Sequence, residues 1–222
     1  MTMMLDGPRR RALSGKADSL VVLLHGHFAN GEDLIGLADL MGESLPGAAF
    51  AAPNAVEPMV YPGPPAYRWF ELTRRDPEEY IAGTRAAAPV LDSFLDAELQ
   101  RLGLPPDRLA LVGFSQGTMM ALHVGLRRKS APAAIVGLSG VIAGAEKLRD
   151  EIACRPPVLL MHGSADEVIP VGALYLTREA ISKAGVPVES HVIKGLGHGI
   201  DDDVIERTAG FLVGHLTTQA DA

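Results

Sequence analysis

Short, uninterrupted apolar runs recur along the chain, and longer segments with helical periodicity separate them. Apolar runs of this length, bounded by turn residues, are typical of strands that are buried on both faces of a parallel sheet. Residues 188–195 alternate between apolar and polar positions and predict a strand nearer the edge of the sheet. The candidates for buried strands are residues 19–26, 48–54, 108–115, 133–140 and 157–166.

The segments between these runs predict helices, and several carry recognisable end signals. Asn30, with Asp33 three residues later, is a candidate N-cap. Asp76 followed by Pro77 combines a cap with a proline at the first helical position, whereas Pro89 farther along the same segment predicts a kink or a split. Because strands alternate with helices, we predict βαβ units joined by right-handed crossovers.

The composition is that of an ordinary globular protein, with 47% hydrophobic and 21% charged residues in a chain of 222. A domain of this length buries about 70% of the surface that its unfolded chain exposes. No linker, repeat or break in composition divides the sequence, so we predict one α/β domain over residues 1–222, with a mostly parallel sheet and helices on both faces. The formal net charge of −7 disfavours nucleic acid and anionic membrane surfaces as partners.

The cysteine content and the apolar windows bear on the cellular compartment. Cys154 is the single cysteine, so no intrachain disulfide can form and a reducing compartment is favoured. The basic run at residues 9–11 is not followed by an apolar stretch of signal-peptide length, and no window approaches the roughly 20 apolar residues that span a bilayer. We expect a soluble, cytoplasmic protein without integral membrane association. The oligomeric state stays open, a homodimer included.

Ser115 lies between Gly113 and Gly117 in the segment LVGFSQGTMMAL. A strand-like run precedes this serine and a helix-like run follows it, so the chain must turn sharply there. Side chains at the two glycine positions would collide with the neighbouring backbone of such a turn. The arrangement G-x-S-x-G is the nucleophile elbow, which holds a serine in a strained conformation with its hydroxyl above the edge of the sheet. We predict Ser115 as a nucleophile; the structural alternative is a serine in an ordinary strand–helix turn.

A serine hydroxyl is a weak nucleophile unless a base removes its proton, and that base is commonly a histidine oriented by a carboxylate. In this arrangement the carboxylate precedes the histidine along the chain. His198 lies in a glycine-rich loop after the last predicted strand, where a flexible backbone lets the imidazole reach another loop. Asp166 follows the preceding predicted strand, and the side chain of the adjacent Glu167 diverges from it. The predicted triad is Ser115, Asp166 and His198; the structural alternatives are a capping role for His198 and an Asx-turn for Asp166.

An oxyanion requires hydrogen-bond donors that are already in place. The first predicted donor is the backbone N–H of Gln116, which follows the nucleophile, and the second is that of His27, in the loop after the first central strand. A metal site at His25 and His27 is a rival interpretation, which lacks a carboxylate partner. We therefore expect no metal and no organic cofactor.

Several motifs occur together in an order that resembles the phospholipase/carboxylesterase family of α/β-hydrolases, which includes acyl-protein thioesterases and small bacterial carboxylesterases. The resemblance covers nearly the whole chain and implies an α/β-hydrolase fold and a serine esterase that acts on carboxylic esters, with thioesters or lysophospholipids as further substrates. It places the family's triad on Ser115, Asp166 and His198 and its oxyanion donors on His27 and Gln116. The motifs are LDGPR, VVLLHGHFANGEDLI, APNAVEP, YRWFEL, LVGFSQGTMMAL, GLSG, LMHGSADEVIPV and GLGHGID.

The surroundings of the site indicate which residues contact a small or lipid-like ester substrate. Many relatives carry leucine or another apolar or aromatic residue where this chain has His27, and glycine is frequent where it has Phe28, so the acyl preference stays open. Trp69 and Phe70 lie in a long coil-like segment, residues 53–77, and form either a wall of the site or an aromatic plug. The predicted substrate-contacting residues are Phe28, Trp69, Phe70, Val168 and Ile169.

Only a short segment separates Gly140 from Pro156, so we expect no cap domain and an open, shallow site.

The sequence leaves two other functions to be weighed. The same fold also supports non-catalytic ligand-binding proteins, which would retain a pocket without needing all three triad residues. A dienelactone-type hydrolase would use a cysteine as nucleophile, whereas position 115 is serine.

Overall fold

The computed structural model describes residues 5–217. Its centre is a seven-stranded sheet, and a two-stranded hairpin is formed separately from it. In chain order, the strands are β1 (Arg9–Arg10), β2 (Ser19–Leu24), β3 (Ala48–Ala51), β4 (Glu57–Met59), β5 (Ala66–Arg68), β6 (Leu109–Phe114), β7 (Ala134–Leu138), β8 (Val158–Gly163) and β9 (Val188–Ile193).

The central sheet has the order β1-β3-β2-β6-β7-β8-β9. Strand β1 runs antiparallel to β3, and the other described pairs of this sheet are parallel. Strand β9, predicted from its alternating pattern to lie near an edge, is the edge strand beside β8. Since parallel strands end at the same side of a sheet, the loops after β2, β6, β8 and β9 meet at one side.

Helices cover both faces of the sheet, which confirms the predicted α/β class. Successive side chains of a strand point to opposite faces. Leu20 and Val22 of β2 accordingly belong to one buried cluster, while Val21 and Leu23 belong to the other. The first cluster includes residues of α2, α3 and α5, and the second includes residues of α1 and α6. The helices are α1 (Glu32–Met41), α2 (Pro77–Leu102), α3 (Gln116–Gly125), α4 (Leu148–Glu151), α5 (Gly172–Lys183) and α6 (Asp202–Leu216).

The predicted N-cap of α2 is confirmed, whereas the N-cap of α1 is Gly31, one residue after the predicted Asn30. Asn30 Oδ1 accepts the N–H of Asp33 at 3.2 Å, and Asp33 Oδ2 accepts the N–H of Asn30 at 2.9 Å. These reciprocal bonds satisfy backbone donors that a helix leaves free at its start. Asp76 likewise accepts the N–H of Glu79 at 2.9 Å ahead of Pro77, the first residue of α2.

The predicted split of α2 at Pro89 is wrong, because the helix runs unbroken from residue 77 to residue 102. A proline inside a helix removes one backbone hydrogen bond and costs about 3 kcal/mol. The buried face of α2 offsets this cost, since Leu91, Phe94 and Leu95 are all 2% exposed or less. Packing of an amphipathic face therefore allows this helix to continue through Pro89.

The long segment at residues 53–77 is more ordered than its coil-like sequence indicates. Strands β4 and β5 pair within it as an antiparallel hairpin. Tyr67 of β5 also accepts the N–H of Phe28 at 3.1 Å and donates its own N–H to Ala29 at 2.8 Å. These backbone bonds tie the hairpin to the loop that follows β2.

No cap domain is inserted between β7 and β8, as expected. The intervening residues, all of which the structure describes, form one short 3-10 turn and the four-residue helix α4. Of the helices within residues 5–217, none combines the length and the apolar character needed to cross a membrane.

Candidate active site

Ser115 stands at the sharp turn between β6 and α3. Its φ of 55° lies in the left-handed region, which costs a non-glycine residue about 1–3 kcal/mol. A Cβ on Gly113 would lie 2.3 Å from the carbonyl oxygen of Gly117, and one on Gly117 would lie 1.9 Å from the carbonyl oxygen of Leu24. Both positions therefore require glycine, and the geometry predicted for this turn is confirmed.

Hydrogen bonds fix the turn to the neighbouring strand β7. The Ser115 N–H donates to the carbonyl oxygen of Leu138 at 2.8 Å. The Thr118 hydroxyl accepts the N–H of Leu138 at 3.0 Å and lies 2.7 Å from the carbonyl oxygen of Gly113. Because these partners are mostly backbone groups of the central sheet, the serine is held in a defined position.

Asp166 lies in the loop after β8, and its side chain is fully buried. Its Oδ1 accepts the N–H groups of Val168 and Ile169, both at 2.9 Å, which closes an Asx-turn. Its Oδ2 lies 2.7 Å from Nδ1 of His198 and 3.3 Å from Nε2 of His162. Burial raises the pKa of this carboxyl, but the hydrogen bonds from His198 and the two amides outweigh burial and hold the pKa below its usual value. The group is therefore an anionic carboxylate at neutral pH, with one oxygen holding the loop and the other facing His198.

The loop after β8 and the loop after β9 are bound to each other. The Ser164 N–H donates to Ile193 and the Ala165 N–H to Leu196, both at 2.9 Å. The Gly195 N–H donates to the Ser164 hydroxyl at 2.8 Å. These contacts hold the two loops together independently of the bond between the predicted acid and the predicted base.

Close approach and ring packing place His198 beside the elbow. A Cβ on Gly163 would lie 2.2 Å from the carbonyl oxygen of Leu196, so the loop that carries His198 can approach β8 only because residue 163 is glycine. The His198 ring packs on Phe114 with 4.9 Å between the ring centroids. Since Phe114 immediately precedes Ser115, the structure brings the predicted base to the side of the sheet where the serine turns.

The buried ring of His25 holds the loop after β2. Its Nε2 accepts the N–H of Ala55 at 3.0 Å, so the proton of the neutral ring is on Nδ1, which donates to the Gly26 carbonyl oxygen at 2.7 Å. Burial lowers the pKa of His25, which favours this neutral form. Because the C=O and N–H of a trans peptide point in opposite directions, fixing the Gly26 oxygen on one side directs the His27 N–H to the other. Gly26 also adjoins Ser115: a Cβ built on it would lie 3.2 Å from the serine's Cβ.

Gln116, the other predicted donor, begins α3 and is fully buried. Its side-chain Oε1 accepts the N–H of Trp69 at 2.9 Å, and its Nε2 donates to the carbonyl oxygen of Phe70 at 2.8 Å. The Trp69 indole N–H donates to the carbonyl oxygen of His25 at 2.9 Å. The long segment is therefore bound to both backbone segments that were predicted to hold an oxyanion.

The predicted substrate-contacting residues differ in exposure. Trp69 and Phe70 are 1% and 4% exposed, which supports the plug interpretation and not a wall that the substrate contacts. Phe28 is 49% exposed, and its φ of 65° explains why glycine suits this position. Val168 is 53% exposed, and Ile169 is half-buried beside the acid.

The rival metal interpretation finds no support in the histidine geometry. Both ring nitrogens of His25 are engaged by backbone groups of the protein, so this side chain is not available to pair with His27. Across the described part of the chain, no three His, Cys, Asp or Glu side chains are grouped as a metal site requires.

The pattern that defines the family described as Phospholipase/Carboxylesterase matches residues 11–216. The chain belongs to the phospholipase/carboxylesterase family. It is therefore a serine hydrolase with the α/β-hydrolase fold, of a family that acts on small ester or lipid substrates.

Relatives of this phospholipase/carboxylesterase family member carry esterase and thioesterase names. The crystal structure of esterase PE8 is 42% identical, with a TM-score of 0.91, and the match covers 96% of this chain and 100% of that one. Esterase YpfH of Escherichia coli is 26% identical over 90% of this chain and 82% of its own length. Acyl-protein thioesterase 1 of Saccharomyces cerevisiae is 27% identical over 94% and 97% of the two chains. The match to acyl-protein thioesterase 1 of Neurospora crassa, at 29% identity, covers 68% of this chain but 62% of that protein.

Sequence reasoning missed the structural roles of two buried histidines. His25 follows β2 and His162 is the penultimate residue of β8, and each immediately precedes a glycine. A polar side chain at the end of an apolar run must find a hydrogen-bond partner. That requirement was the available signal, but the partners, Ala55 for one and Ile169 for the other, are visible only in the folded chain.

Proposed function

We propose that the chain hydrolyses carboxylic esters by two-step acyl transfer, with Ser115 as the nucleophile. The bond to the Asp166 carboxylate fixes the proton of His198 on Nδ1, so that Nε2 is free to take the serine proton, and Asp166 stabilises the charge that the imidazole gains. His198 gives that proton to the departing alcohol or thiol as Ser115 keeps the acyl group. It then takes a proton from the water that attacks the acyl-enzyme and returns it to Ser115 as the carboxylic acid leaves. The observation that carries the proposal is the 2.7 Å contact between His198 and the buried Asp166, on the side of the sheet where Ser115 stands in its strained turn.

The proposed oxyanion donors are the backbone N–H groups of His27 and Gln116. The first is supported by the Gly26 peptide orientation that His25 imposes, and the second by its position at the start of α3, the positive end of the helix dipole. Removal of one such donor typically costs about 10²–10³-fold in kcat. Holding these donors in place before the reaction avoids reorganisation as the negative charge develops.

The proposed substrates are oxygen esters and thioesters, with lysophospholipids as a further class. The names of the relatives support both ester types, and the lack of a cap between β7 and β8 leaves room for acyl groups of varied size. Phe28, Val168 and Ile169 are the proposed contacts with the substrate. Exposed apolar side chains next to the acid and the oxyanion loop suit an acyl chain better than a charged group.

Replacing Ser115 by alanine tests the proposal. We expect the variant to keep its melting midpoint and to lose turnover of both p-nitrophenyl butyrate and a butyryl thioester, because no other group is proposed to form the acyl-enzyme. Ser182→Ala, an exposed position on α5, is the matched control and should retain wild-type kcat/KM.

Two results would contradict the proposal. Unchanged turnover by Ser115→Ala would show that another residue is the nucleophile. A wild-type protein that binds the esters without turnover would instead indicate a non-catalytic ligand-binding protein.

A further inference from the structure

His162 is a buried side chain that touches the predicted acid without belonging to the triad. It is the penultimate residue of β8, and it is 1% exposed. Its Nε2 lies 2.8 Å from the carbonyl oxygen of Ile169 and 3.3 Å from Oδ2 of Asp166. The His162 side chain therefore connects β8, the strand before the acid, to Ile169, the residue that closes the turn of the acid.

The hydrogen-bond partners decide where the proton of His162 is. The Ile169 carbonyl oxygen can only accept, so Nε2 must carry a hydrogen and donate it. Oδ2 of Asp166 lies 3.3 Å from the same nitrogen, a close contact of opposite partial charges without the alignment of a hydrogen bond. No other protonation of Nε2 satisfies both neighbours.

We propose that His162 is a positioning residue that orients the Asp166 carboxylate for His198. This inference rests on the proposed function, since it concerns the acid of the proposed triad. The two amide bonds to Oδ1 fix one oxygen of the carboxylate. The His162 N–H holds the carbonyl of Ile169, whose own amide makes one of those bonds, and the same nitrogen lies 3.3 Å from Oδ2. Without it, Oδ2 would keep His198 as its described partner, and the Ile169 carbonyl oxygen would lose its donor.

The effect is expected on kcat more than on KM. Asp166 acts when the imidazole gains charge in the transition state. A carboxylate that is held less firmly therefore stabilises the transition state less, while the binding of the ester is unchanged. Groups that orient a metal ligand by hydrogen bonding typically contribute about 10–100-fold to activity, and we expect an effect of similar size for a group that orients the acid. Ile169 is itself a proposed substrate contact, so a smaller change in KM accompanies the change in kcat.

Three substitutions of His162 test the inference. His162→Leu removes the donor at similar volume, His162→Asn keeps an amide that is too short to reach the position of Nε2, and His162→Gln keeps an amide N–H that reaches it. We expect the Leu and Asn variants to lose about 10–100-fold in kcat, and the Gln variant to recover most of it. If the Leu variant does not fold, the Asn and Gln pair still decides the question. Equal kcat in all folded variants, or equal losses in Asn and Gln at equal melting midpoints, would overturn the inference.

A double-mutant cycle with Asp166→Ala tests whether His162 acts through the acid. If it does, His162→Asn lowers kcat in the wild-type background but not in the Asp166→Ala background. Losses that multiply in the double variant would instead show that His162 acts elsewhere. Ser115→Ala, measured in parallel, separates the two proposals: turnover by that variant rejects the proposed function, whereas an inactive Ser115→Ala beside an unaffected His162→Asn rejects this inference alone.

Discussion

Replacing Gly117 by alanine is expected to separate the proposed nucleophile from the oxyanion loop. The new Cβ would lie 1.9 Å from the carbonyl oxygen of Leu24 and 2.8 Å from that of His25. Ordinary van der Waals contact begins at 3.4 Å, so the start of α3 must move away from β2 by about 1.5 Å. The obstacle is backbone inside a hydrogen-bonded sheet, which cannot rotate aside as a side chain would.

This displacement allows the size of the effect to be stated. A misplacement of about 1 Å between reacting groups costs about 10²-fold in rate, so we expect kcat/KM of Gly117→Ala to fall by about 10²-fold or more. Overpacking typically costs about 1–3 kcal/mol, which for a chain of this length corresponds to a melting midpoint lower by about 2–12 °C. Steady-state kinetics on p-nitrophenyl butyrate and a thermal melt measure the two effects separately.

Gly210→Ala is the matched control for this substitution. Gly210 lies within α6, and a Cβ there meets no atom within 4 Å. Alanine inside a helix is favoured over glycine by about 0.5–1 kcal/mol, so this variant should keep its kcat/KM and melt at the same or a higher temperature. A Gly117→Ala variant that matches the wild type in both kcat/KM and melting midpoint would refute the steric argument for the elbow.

Two further substitutions address the loop of the base and the response to pH. Gly163→Ala would place a Cβ 2.2 Å from the carbonyl oxygen of Leu196 and push away the loop that carries His198. We therefore expect kcat to fall by about 10²-fold in steady-state assays. An unaffected kcat would contradict the proposed role of that contact. Burial and the nearby Arg127 lower the pKa of His123 to about 4. The unfolded chain therefore binds a proton at this site below about pH 6.5 while the folded chain does not, and stability falls as the pH drops from about 6.5 to 4, by at most about 3 kcal/mol. His123→Leu should flatten that dependence when melting midpoints at pH 7 and pH 5 are compared, and an unchanged dependence would reject this assignment.

The parts of the fold that could be predicted are those that depend on residues close together in the sequence. Buried parallel strands need continuous apolar runs, and the edge position of β9 is visible in its alternation. Helix caps and the elbow also depend on neighbours within a few residues, as Asp76 and Gly113 illustrate. The three predicted triad residues could be chosen because the fold fixes their order along the chain.

The remaining features depend on contacts between distant segments. Trp69 is 44 residues from His25 and 47 from Gln116, and these partners decide that its ring is buried and not exposed at the site. The continuity of α2 through Pro89 depends on packing against α3 and the rest of its buried cluster, which no local signal reports. The role of His162 likewise requires knowing which carbonyl faces its ring.

The strand order gives the proposed nucleophile and the proposed base unequal support. Ser115 follows β6, the middle strand, which is paired on both sides, whereas His198 follows β9, which has one neighbour in the sheet. Edge strands unfold locally at a lower free-energy cost than central strands. On mild warming, the loop that carries His198 would therefore open while Ser115 keeps its position. Activity would then fall before the tertiary structure melts, and it would return when the sample is cooled.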